Sequence, residues 1–162
     1  MSWHRRSALF ALGALVAGCG FSPAYGPSGG ASRLAGNLRV EAPKRREGFL
    51  IAQRLENRLG RDDAGRYVLN VTPQTRQLGL ATSVEGTTNR FQITGTARYR
   101  LRDTETDRIL REGEVTNFTG YSATGSTVAT LAAERDAEAR LMVILADQIV
   151  DRLILSAGGL PG

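Results

Sequence analysis

Arg90-Phe91-Gln92-Ile93-Thr94-Gly95-Thr96-Ala97-Arg98-Tyr99-Arg100-Leu101-Arg102 sorts into two columns. Phe91, Ile93, Ala97, Tyr99 and Leu101 carry odd numbers, with Gly95 in the same row. Arg90, Gln92, Thr94, Thr96, Arg98, Arg100 and Arg102 carry even ones. Successive side chains of a strand point to opposite faces, so this segment predicts a strand with one buried face and one wet face. Such a strand belongs in a sheet covered on one side only.

The reading extends in both directions. Asp103-Thr104-Glu105-Thr106-Asp107 reads as a hairpin turn with solvated acids, and a returning strand runs from Ile109 to about Tyr121. Its alternation is looser, with a bulge expected at Gly113. Upstream, Arg66 to Leu80 predicts another strand, with Tyr67, Leu69 and Val71 alternating with Val68, Asn70 and Thr72. Leu78 and Leu80 fall on even numbers, so a phase slip is expected, with Pro73 or Gly79 marking a bulge or an edge position. Residues 81–89 (ATSVEGTTN) read as a polar loop. A short strand, about Asn37 to Glu41, comes first and is ended by Pro43.

Two helices complete the pattern. Ile51, Leu55 and Leu59, with Ala52 beside them, form an apolar stripe over Gly48 to Leu59, and Gly60 is placed to cap it. The last helix spans about Val128 to Ala157 behind an N-cap at Ser126 or Thr127, and Gly158-Gly159 ends it. Met142, Leu145, Ile149 and Leu153 trace one apolar row, and Val143, Ala146, Val150 and Ile154 another. Asp136, Arg140, Asp147 and Asp151 are expected opposite. The order β-α-β-β-β-α predicts an α+β two-layer sandwich: a four-stranded, mainly antiparallel sheet with two helices on one face.

Residues 1–18 read as a secretory signal to be removed. His4, Arg5 and Arg6 precede the apolar run Ala8 to Val16, which is too short to span a bilayer. Val16-Ala17-Gly18-Cys19 then matches a bacterial lipobox, which makes Cys19 the lipidation site. The only Cys of the chain is this one, so no internal disulfide is available to it. Several acyl chains anchor a protein stably, each buried CH₂ contributing about 0.8 kcal/mol. Gly20 follows, where Asp would retain a lipoprotein in the inner membrane of enterobacteria. Residues 19–36 are a lipidated N-terminus and a Gly/Ser/Pro-rich tether, and residues 37–162 are the folded domain.

Composition narrows the chemistry. Removing Arg5 and Arg6 from the 21 basic residues leaves 19 against 16 acidic ones, a net charge of +3. That bias is too mild for a dedicated nucleic-acid binder. His4 is the only His. The processed chain therefore has no imidazole and no free thiol, which excludes the usual Ser-His and Cys-His catalysis and His- or Cys-ligated zinc. No phosphate-cradling or dinucleotide glycine motif is present, so no cofactor or metal is expected. The even column of the central strand is the candidate functional surface. Arg98, Arg100 and Arg102, with Arg90 nearer the loop, would project from one sheet face about 7 Å apart. Such a row suits a phosphorylated ligand, or it pairs with acids such as Glu112 and Glu114.

Cys19-Gly20-Phe21-Ser22-Pro23-Ala24-Tyr25-Gly26 resembles the start of the alphaproteobacterial lipopolysaccharide-assembly lipoproteins, the LptE family. The likeness continues through Leu38-Arg39-Val40, Leu55 and Leu59, and Leu145-Ala146-Asp147-Gln148-Ile149-Val150-Asp151-Arg152-Leu153. The resemblance implies an outer-membrane lipoprotein facing the periplasm, with no enzymatic activity. It implies a two-layer domain that plugs the LptD β-barrel, helps it assemble and binds lipopolysaccharide. In the family, basic side chains near strand ends are tied to lipopolysaccharide contact. Arg90, Arg98, Arg100 and Arg102 are the candidates here. Two other readings compete: an auxiliary lipoprotein of another envelope lipid transporter of the ABC type, and an anchored hydrolase working through Asp103, Glu105 and Asp107.

Overall fold

A computed structural model describes residues 34–82, 88–123 and 125–157. The lipobox, most of the tether, residues 83–87 of the polar loop and Gly158-Gly159 lie outside the described residues. The elements are β1 (Leu38–Glu41), α1 (Arg46–Leu59), β2 (Tyr67–Thr82), β3 (Thr88–Asp103), β4 (Ile109–Ser122) and α2 (Thr127–Ser156). The strands lie in the order β1-β2-β3-β4. β1 is parallel to β2, and the other two pairings are antiparallel.

The two columns of β3 separate as expected. Ile93, Ala97, Tyr99 and Leu101 are buried under the helices, while Arg98 and Arg100 are exposed. Gly95 fits the same row because α2 rests on it. A Cβ built there would lie 2.9 Å from both Leu141 Cδ2 and Leu145 Cδ1. The α1 stripe Ile51, Leu55 and Leu59 joins Leu141, Met142, Leu145, Ile149 and Leu153 of α2 in one core. Leu34, from the Gly/Ser/Pro-rich stretch, is buried in the same core. Gly60 ends α1 with φ +80°, and its N–H donates to Glu56 O at 2.8 Å. The Ser126 side chain caps α2 by accepting from the Ala129 N–H.

Several local expectations are corrected. β2 does not change phase before Leu78. Tyr67 to Gly79 pair without a break against Asp103 to Phe91, and the register shifts only between Gly79 and Ala81 and again before Thr82. Leu78 is therefore left on the polar face. The irregularity of β4 lies at Leu110, where the register shifts between Leu101 and Arg102, and not at Gly113. Gly113 pairs with Tyr99 and makes room for it, since a Cβ there would come within 2.8 Å of Tyr99 Oη. In α2, Val143 is largely outside the core and Asp147 turns toward α1. Arg54 binds Asp147 through Nε at 3.0 Å and Nη2 at 2.9 Å, and Arg58 Nη1 adds a third bond at 3.0 Å. A bidentate fork of this kind fixes geometry as well as charge.

Asp103 is the main correction in the hairpin turn. It is fully buried, not solvated. Arg66 Nη2 donates to it at 2.9 Å, and the Glu105 N–H donates to Oδ1 at 2.9 Å. These partners, Arg66 first, outweigh burial and hold the carboxyl near a pKa of about 2, against an ordinary 3.8. A lowered folded-state pKa means stability that is present above the unfolded value and lost as pH falls through the folded one. The domain should therefore lose stability between about pH 4 and pH 2. Asp103→Asn should flatten that limb in urea melts taken across the range. An unchanged acid limb would mean that other carboxylates set it.

Candidate functional site

The sheet face away from the helices has two chemically different halves. In the half near the Asp103 turn, β3 arginines meet acids on β4. Arg98 Nε binds Glu114 at 2.7 Å and Arg100 Nε binds Glu112 at 3.3 Å. Arg102 binds Asp107, and Glu41 of β1 accepts from Asn70 Nδ2 at 2.7 Å. Cross-strand register places each β3–β4 pair directly opposite, Arg98 with Glu114 and Arg100 with Glu112. The row of arginines is thus brought together on one face, and its charge is matched strand by strand. A shallow groove of about 670 Å³ runs over Thr72, Arg98, Arg100, Glu112 and Glu114.

The other half, toward the β2–β3 loop, is apolar and basic. Arg76, Thr94 and Phe118 form one row across β2, β3 and β4, and Leu78, Gln92 and Gly120 form the next. Leu78 and Phe118 are each 61% exposed and Leu80 is 52% exposed. Gly120 contributes no side chain to its row, which opens a groove of about 330 Å³ bordered by Leu80, Arg90, Gln92, Phe118 and Ser122. Arg90 stands at its rim, exposed and apart from the three paired arginines of β3. Among the described residues no acid bonds to Arg90 or to Arg76. Three large apolar side chains facing water beside the guanidiniums of Arg76 and Arg90 can hold an amphiphile, with alkyl groups on the leucines and phenylalanine and anionic groups on the guanidiniums.

Leu78, Leu80, Phe118 and Arg76 were not expected in the site. Their signal was the even numbering of Leu78 and Leu80, which fits exposure on the polar face as well as it fits a slipped register. The acidic turn is fully engaged, with Asp103 and Glu105 bound to Arg66 and Asp107 bound to Arg102. Among the described residues no group of three His, Cys, Asp or Glu is placed to hold a metal ion. Nor is any described helix long and apolar enough to cross a membrane.

The family model described as LptE, lipopolysaccharide-assembly, matches residues 35–153. No curated protein matches the chain. Among solved structures, a candidate lipoprotein from Caulobacter crescentus CB15 superposes with TM-score 0.68 and 22% identity, covering 82% of this chain and 98% of that one. The minor lipoprotein from Acinetobacter baumannii gives TM-score 0.58 and 20% identity over 75% and 93%. The rare lipoprotein B from Shewanella oneidensis gives 0.57 and 13% over 74% and 94%. At these identities the superpositions establish a shared fold.

Proposed function

The chain belongs to the LptE, lipopolysaccharide-assembly, family, and from that premise we propose that it is a lipid-anchored outer-membrane subunit that seats in an LptD-type β-barrel and binds lipopolysaccharide without catalysing a reaction. In this reading residues 1–18 are removed, Cys19 carries the lipid, and the segment up to about residue 36 leads to the domain at the periplasmic face. The observation that carries ligand binding is the groove in which Leu80 and Phe118 border Arg90. Lipopolysaccharide has the matching chemistry, acyl chains joined to phosphorylated sugars. Arg98, Arg100 and Arg102 extend the same face, but a phosphate reaching them must displace Glu114, Glu112 and Asp107. We therefore assign Arg90 the first contact and the other three a supporting one.

The test is co-purification of the detergent-solubilised, tagged chain from its native envelope. A stoichiometric β-barrel partner is the expected result. Recovery of the chain alone, or with an ABC permease or a substrate-binding subunit, sinks this reading, the latter in favour of a different lipid transporter. Mass spectrometry of the same sample should show acyl mass on Cys19, absent in Cys19→Ala. An unmodified thiol in the wild-type protein would remove the anchor.

A further inference from the structure

β2 has 16 residues and β1 only 4, and β1 pairs only with Tyr67 to Asn70. Among the described residues, no strand pairs with the β1 side of β2 beyond Asn70. The Tyr67 N–H donates toward β1, to Asn37 O at 3.1 Å. Backbone groups alternate in direction along a strand, so the odd residues Val71, Pro73, Thr75, Gln77 and Gly79 point to that open side. Pro73 has no N–H to offer. Thr75, Gln77 and Gly79 leave donors and acceptors with no backbone partner among the described residues.

The opposite edge of the sheet is treated differently. On β4 the Phe118 N–H donates to Asn117 Oδ1 at 2.8 Å. Arg152 of α2 donates to Glu114 O at 2.7 Å, and Arg140 donates to Gly120 O at 3.5 Å. Side chains thus occupy outward backbone groups of β4, a known way to block strand pairing. Nothing comparable covers Thr75 to Gly79 among the described residues.

Charge says what belongs there. On this sheet face Arg98 and Arg100 each meet an acid on the next strand, and β1 supplies Glu41 to Asn70 of β2. Arg76 lies six residues beyond Asn70, about 20 Å along the strand on the same face, and no described acid reaches it. We propose that the edge Thr75–Gly79 accepts an added strand from a different polypeptide, continuing the line of β1. That strand carries a carboxylate opposite Arg76 and apolar side chains opposite Leu78 and Leu80. A second copy fits poorly, because its own Gln74–Leu80 brings another Arg76 and no acid. Main-chain bonds supply affinity in this mode, and the alternate side chains supply specificity. The inference goes beyond the barrel-subunit reading and stands or falls independently of it.

The probe is the peptide acetyl-Thr-Val-Thr-Val-Thr-Glu-Thr-Glu-amide, which in antiparallel pairing sets its valines against Leu80 and Leu78 and a glutamate against Arg76. It is added to the full chain, and amide hydrogen exchange is followed by NMR. Exchange at Thr75, Gln77 and Gly79 should slow at least tenfold, with Arg76 and Leu78, already bonded to β3, unchanged. The same peptide with Lys for Glu should bind at least tenfold more weakly, and Arg76→Glu should reverse that order. Thr75→Pro removes only an outward N–H and should abolish the protection. The proposal is overturned by unchanged exchange with the acidic peptide or by equal binding of both peptides. It is also overturned if alternate protection rises with protein concentration in the chain alone, which would identify a second copy as the occupant.

Discussion

Leu145→Ala should destabilise the domain by about 2–5 kcal/mol, measured as a shift of the urea midpoint at constant slope. Leu145 is fully buried at the contact of α2 with β3, where its Cδ1 faces Gly95. Truncation removes apolar surface from the core and leaves a cavity that the backbone of Gly95 cannot fill. The converse change, Gly95→Val, should also destabilise, by about 1–3 kcal/mol, because its added carbons meet Leu141 and Leu145 at less than contact distance. Gly95→Ala combined with Leu145→Ala should recover part of the loss, since the new methyl enters the space the leucine vacates. Double-mutant coupling measures that recovery. A Leu145→Ala cost below about 1 kcal/mol would mean that α2 is not seated on β3 as described.

Arg90→Gln should weaken lipopolysaccharide binding ten- to hundredfold, the equivalent of about 1.5–3 kcal/mol for one charged hydrogen bond to phosphate. Arg98→Gln should cost clearly less, because Glu114 already holds that guanidinium at 2.7 Å and the ligand gains only the difference. Glutamine is preferable to glutamate at position 98, since Arg98→Glu would set two acids directly opposite and confound binding with folding. Phe118→Ser should lower affinity by removing an exposed ring that α2 does not need. Circular dichroism should leave all three variants folded. Equal losses for Arg90→Gln and Arg98→Gln would move the contact from the Leu80–Phe118 groove to the whole arginine row.

The sandwich was legible because β3 and the two helices each carry their periodicity within a few residues of chain. Period two across Phe91 to Leu101 and the recurrence of Ile51, Leu55 and Leu59 each specify a buried face, and the element order leaves few ways to join them. That residues 20–162 hold neither His nor Cys was equally readable, because a residue type missing from a stretch of sequence needs no coordinates. The arginine row was read correctly as one face, yet its pairing with Glu112 and Glu114 depends on β4 register, which a loosely alternating strand does not declare.

What the tertiary structure decided is everything that depends on where a neighbour stops. Leu78 on an even position is compatible with a slipped strand or with an exposed leucine, and only the unbroken ladder against β3 chooses between them. Asp103 looks like any turn acid until the fold brings Arg66, 37 residues away, against it. Among the described residues the edge at Thr75 to Gly79 is left without a partner strand because β1 ends at Glu41. Local sequence determines which way a side chain can face, but burial and pairing are properties of two segments at once, and chain distance hides that meeting until the sheet is assembled.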